Sequence, residues 1–154
     1  MHIWTRPYSA ACSITSSQGR AAPYSSVWTA GRVVVLVSDV TEREIAGAPP
    51  QVRGLLPMIP ATAMHKCALT DEIFGLAQAY LDAHVVAPEW EDDCLHEACA
   101  TLHRADVLVS WNFKHLVRLD RARAFNSVNL RLGYPQITIS SPLEVQYADR
   151  NDIA

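Results

Sequence analysis

Asp92–His115, DDCLHEACATLHRADVLVSWNFKH, is the stretch whose reading decides the rest. Leu95, Ala98, Cys99 and Leu102 recur at i, i+3, i+4 and i+7, which puts an apolar stripe along one side of a helix over 92–104. Asp92 and Asp93 fall in the first turn of that helix, where its dipole favours negative charge. Val107-Leu108-Val109 is apolar without alternation, the pattern of a strand covered on both faces. Asn112 follows directly. Open α/β sheets bind their ligands outside the carboxyl ends of the strands. An acid at a helix start and a polar side chain past a strand end can therefore face one crevice.

Outward from this stretch the chain alternates strand and helix. Val33–Val37 reads as a buried strand, and Ser38 is a good N-cap for a helix over Asp39–Ala46 with Val40 and Ile45 inward. Pro49-Pro50 stops that helix, and a short helical segment is expected over 50–56. His65–Leu69 suits a short strand. Thr70 caps an amphipathic helix over Asp71–Ala83, with Ile73, Phe74, Leu76, Ala77, Tyr80 and Leu81 on its inner face. Beyond Asn112 a long helix is expected to Arg131, with Gly133 placed to end it. Gln136–Ser140 alternates as a strand, and Ser141-Pro142 begins a last short helix. Residues 1–32 carry neither periodicity and read as irregular. The alternation predicts a mostly parallel α/β sheet.

The chain has 154 residues, 49% of them hydrophobic and 19% charged, which fits one globular domain with its own core. No apolar run reaches the ~20 residues of a membrane span, and no contiguous apolar h-region marks a signal peptide. Cys12, Cys67, Cys94 and Cys99 form no CxxC pair, so they are expected to be reduced thiols in a cytoplasmic protein. The net charge of −3 is unevenly spread. Residues 71–93 hold seven acids and no Lys or Arg, whereas residues 112–135 hold five basic residues against Asp120. An acidic site beside a basic helix suits a metal-dependent enzyme acting on a polyanion. Segregated but merely solvated charge accounts for the same counts.

Three motifs, in order, resemble the PIN-domain family of metal-dependent ribonucleases, which includes the VapC-like toxins of toxin–antitoxin pairs. Val37-Ser38-Asp39-Val40-Thr41-Glu42-Arg43-Glu44-Ile45 is similar to the family's strand-to-helix segment, its glutamate falling at Glu44. Asp93-Cys94-Leu95-His96 resembles the family's Asp-x-Leu-His segment. Leu108–Leu116, LVSWNFKHL, and Arg131–Pro135, RLGYP, resemble one branch of the family. The resemblance covers about Arg32–Tyr147, so the domain is placed at 33–147, with a tail over 148–154. It implies a three-layer α/β/α domain with a mostly parallel central sheet and acids that hold Mg²⁺ or Mn²⁺. It further implies an RNA substrate, an antitoxin partner and, as in many relatives, a homodimer. Glu44 and Asp93 would be ligands, Asn112 would hydrogen-bond metal-bound water where many members carry an acid, and Asp92 would be a helper. Lys114, His115 and Arg118 would contact RNA phosphates.

The N-terminus departs from the family, which opens with a strand ending in an aspartate ligand that residues 1–32 do not supply. A displaced reading frame accounts for this. The codons of Trp4–Ile14, read one nucleotide earlier, can encode Leu-Asp-Thr-Ser-Val-Phe-Gly-Gly-Val-Phe-Asp, with the frame restored near Gly31-Arg32. The aspartate is forced, because the Trp codon ends in G and Thr codons begin AC; the encoding DNA tests it. Such a chain would lack a central strand and one ligand and would be a weakened or inactive enzyme, with a catalytically inactive module binding an antitoxin or RNA as the alternative. Each residue also has a plainer reading: Asp93 and Asp92 as first-turn acids, Glu44 as a solvated helix residue, Asn112 as an N-cap. His96, Cys99 and His103 share a helix face, but zinc there would need a fourth partner.

Overall fold

A computed structural model of the chain describes residues 8–13, 33–54, 56–110 and 116–141. Five strands, β1 (Tyr8–Ser13), β2 (Val33–Ser38), β3 (Met64–Cys67), β4 (Val107–Ser110) and β5 (Thr138–Ser140), form one sheet in the order β3-β2-β1-β4-β5. Every pairing is parallel. The helices are α1 (Asp39–Ala46), α2 (Asp71–Asp82), α3 (Glu91–Leu102) and α4 (Leu119–Arg131), with one-turn segments at Pro50–Arg53, Leu56–Met58, Ala61–Ala63 and Pro88–Trp90. The molecule is thus a mixed α/β protein with a parallel sheet.

The helix starts follow their caps. The Ser38 hydroxyl accepts from the Thr41 backbone N–H at 3.3 Å while the Thr41 hydroxyl accepts from the Ser38 N–H at 3.4 Å, a reciprocal capping box. Thr70 accepts from Ile73 N–H to open α2. Helix α4 closes with Gly133 N–H on the Leu130 carbonyl and Tyr134 N–H on the Asn129 carbonyl, the Schellman pairing. That closure requires the left-handed φ of +82° at Gly133, which a side chain would strain.

Leu36 and Leu108 pack with Ile73, Leu76 and Tyr80 of α2, Leu95, Ala98 and Cys99 of α3, and Phe125 and Val128 of α4. Successive strand residues point to opposite faces. Accordingly Val35 and Val37 pack separately, with Ile59 and Ala63. Tyr80, Asn129 and Thr101 tie three helices through buried hydrogen bonds. The Tyr80 hydroxyl donates to Asn129 Oδ1 at 2.5 Å, and Asn129 Nδ2 donates to Thr101 Oγ1 at 3.2 Å. The Asn126 side chain pairs with both backbone groups of Ile137 and so holds the approach to β5.

Several expectations are corrected. Tyr8–Ser13, within the segment read as irregular, is the central strand, so a central strand is present in the frame as given. YSAACS has little strand signature of its own, but it lies between two apolar strands that offer it a ladder on each side, and strand preference yields to such surroundings. Phe74 is 46% exposed rather than inward, because the buried face of α2 centres on Ile73, Leu76, Ala77 and Tyr80. Helix α4 begins at Leu119, later than read. The short helix expected from Ser141-Pro142 lies outside the described residues.

Candidate functional site

The strand order reverses direction between β1 and β4: from β1 the chain moves outward to β2 and β3, then returns across the sheet to β4. Such a switch point opens a crevice at the carboxyl edge of the sheet. Ser13 and Ser110 pair at that edge. Helix α3 leads through residues 103–106 into the start of β4, so its N-terminus, with Asp93, lies on the carboxyl-edge side.

Helix α3 is buried along Asp93–Thr101 without interruption, because it packs on α1, α2 and strands β1, β2 and β4 together. Its polar residues are consequently taken out of water. Asp93 is 2% exposed and has a partner of its own. Glu97, one turn on, is fully buried, and neither carboxylate oxygen has a hydrogen-bond partner among the described residues. Burial pushes its carboxyl up from its ordinary 4.5 to about 8. The same burial, with Asp93, Glu97 and Glu91 nearby, pushes the Cys94 thiol up to about 12.

Helix α1 brings Glu44 to this helix. Glu44 Oε2 lies 3.0 Å from Nε2 of His96, with the imidazole 4% and the carboxylate side chain 14% exposed. The two atoms are close enough for an ion pair when the imidazole is protonated, yet neither makes an aligned hydrogen bond. His96 is three residues from Asp93, and side chains at that spacing are neighbours on a helix surface. Glu44 therefore meets α3 at His96, three residues after Asp93. Asp92 is spent on the outside, where it accepts from Arg43 of α1. Arg118, expected to face phosphate, is held by Asp120 through two N–H donors at 3.0 and 2.9 Å. Its guanidinium holds the Asp120 carboxyl below the usual range. Asn112, Lys114 and His115 lie outside the described residues.

The sequence reading missed a second cluster. His65 and Cys67 of β3 meet His103, the residue that ends α3, and one ligand atom from each lies within 4.8 Å of the others. The Cys67 thiol donates to the His65 carbonyl at 3.8 Å, and its proximity to Cys99 lowers the Cys67 pKa and raises that of Cys99. Burial, then the neighbouring His65, lowers the His103 pKa. The sequence showed His103 and Cys99 on one helix face and the His65-x-Cys67 spacing on an expected strand, but nothing that joined the two. His96, at helical spacing from Cys99 and His103, faces Glu44 instead of joining them.

No family model, curated protein or solved structure matched the chain. Among the described residues no helix is long and apolar enough to cross a membrane.

Proposed function

We propose that the chain is a three-layer α/β/α PIN-like domain that cleaves RNA with Mg²⁺ or Mn²⁺, in the role of the toxin of a toxin–antitoxin pair. The observation that supports this reading is the meeting of α1 and α3, which brings Glu44 against His96, three residues along α3 from the buried Asp93. Carboxylate oxygens are the donor type that hard divalent ions prefer. Glu44 and Asp93 would hold the ion, which when bound would acidify a water and neutralise charge on the scissile phosphate. His96 lies against Glu44, and the exposed Arg43–Asp92 pair spans α1 and α3. Asn112 would position water beside the ion. Lys114, His115 and Arg118 would meet RNA phosphates, Arg118 after exchanging Asp120 for one.

Incubating RNA with the chain and Mg²⁺ or Mn²⁺, with an EDTA control, tests the reading. Cleavage that is lost in EDTA and in Asp93→Ala is expected; cleavage unchanged in Asp93→Ala removes the site. The alternative is a catalytically inactive module that binds an antitoxin or RNA. It is favoured by the residues of β1, YSAACS, which include no acid, and by the basic neighbours of Glu44 and Asp92. RNA retained on the folded chain without cleavage in either metal supports that alternative.

A further inference from the structure

We propose that His65, Cys67, Cys99 and His103 form a four-ligand site for a borderline-soft divalent cation, Zn²⁺ above all, which ties β3 to α3. This site is separate from Glu44 and Asp93 and does not depend on the nuclease reading. Two regular elements place its donors. His65 and Cys67 are two apart on β3 and so share one face of the sheet. In register they sit beside Leu36 and Ser38, and Leu36 packs in the cluster that includes α3. Cys99 and His103 are four apart at the end of α3, one turn of a single helix face. The two pairs meet where the helix crosses this edge of the sheet.

The geometry is near what a tetrahedral ion needs. Zn–S and Zn–N bonds of about 2.3 and 2.0–2.1 Å set ligand atoms roughly 3.3–3.8 Å apart. The atoms of His65, Cys67 and His103 already lie within 4.8 Å of one another. The two imidazoles meet edge to face, centroids 5.5 Å apart, and the Cys99 thiol contacts that of Cys67. For His65, Cys67 and His103, closure by about an ångström is within reach of side-chain rotation, since both histidines are exposed; Cys99, the neighbour of Cys67, stands outside that group and must turn toward it. The sulfurs lie beneath, at 2% and 4% exposure. An ion thus has a path in from solvent past the imidazoles to two sheltered thiols.

The donor set selects the metal. Two thiolates and two imidazoles are the ligands of a closed structural zinc site, whereas Mg²⁺ and Mn²⁺ prefer oxygen. Two thiolates also cancel the charge of a divalent ion. A structural purpose follows from topology: among the described residues β3 is an edge strand, paired only with β2. A metal bridge to α3 would fasten that edge to the most deeply buried helix.

Cobalt(II) is the probe. The reduced full-length chain, stripped by chelator and returned to metal-free buffer, is titrated with Co²⁺ while circular dichroism monitors folding. Expected are one Co²⁺ per chain, the intense visible bands of tetrahedral cobalt, a sulfur-to-cobalt charge-transfer band, and loss of all of these on adding one equivalent of Zn²⁺. Cys67→Ser and Cys99→Ser should each weaken the charge-transfer band. His65→Asn and His103→Asn, at exposed positions that keep the fold, should weaken binding beyond the ~10–100-fold typical of losing an outer-shell partner. His84→Asn, an exposed histidine elsewhere, should leave binding unchanged. No charge-transfer band in the folded wild-type chain overturns the proposal, as does a band that survives the His65→Asn/His103→Asn pair. A metal-free chain lighter by two hydrogens, with Cys67 and Cys99 joined as a disulfide under reducing conditions, overturns it too.

Discussion

Replacing Glu97 by Gln should make the protein more stable at neutral and alkaline pH, an unusual outcome for a change in the core. Glu97 is fully buried on α3, and its carboxylate oxygens find no partner among the described residues. Its carboxyl is accordingly pushed from its ordinary 4.5 to about 8 by burial alone. The unfolded chain releases this proton above pH 4.5, whereas the folded chain keeps it until pH nears 8. The stability tied to the protonated form is therefore fully present below about 4.5 and is lost as pH rises to about 8. At about 1.4 kcal/mol per unit, the loss is about 3 kcal/mol at pH 7 and about 5 kcal/mol once pH passes 8. Tyr80 and Cys94, which both lie near Glu97, are raised and stay neutral throughout this window. The amide introduced by Glu97→Gln has no such proton to lose. The variant should match the wild type, or fall about 1 kcal/mol below it for its buried amide, near pH 4.5. It should then gain steadily to pH 8. Urea denaturation at half-unit pH steps reads this as a diverging midpoint at constant slope. Parallel pH profiles for the two proteins would refute the reasoning and show that Glu97 is ionised and paired in the folded chain.

Ser38→Ala removes one half of the capping box and should cost about 1 kcal/mol in denaturant unfolding; under the proposed nuclease function, RNA cleavage should fall as well, because α1 carries Glu44. Tyr80→Phe leaves the buried Asn129 Oδ1 without its donor and should cost about 1–3 kcal/mol, with the cooperativity of unfolding retained.

Regular structure was legible where local chemistry and burial agree. Ser38 and Thr70 mark their helix starts because a hydroxyl there satisfies an N–H that the helix cannot. Val33–Val37 and Val107–Val109 read as covered strands, and they flank the centre of the sheet. The pairing of α1 with α3 was legible only as motif order; the contact between Glu44 and His96 depends on how two helices cross, which spacing within either cannot express.

The sequence alone determined an alternating α/β chain, its four main helices, and the acids and cysteines from which any site must be drawn, because periodicity and caps act over a few residues. Tertiary structure decided that Tyr8–Ser13 is the central strand, that α3 is buried on every side, and that His65 and Cys67 meet His103. Each depends on residues far apart in the chain, where burial and neighbouring ladders override what a short segment prefers by itself.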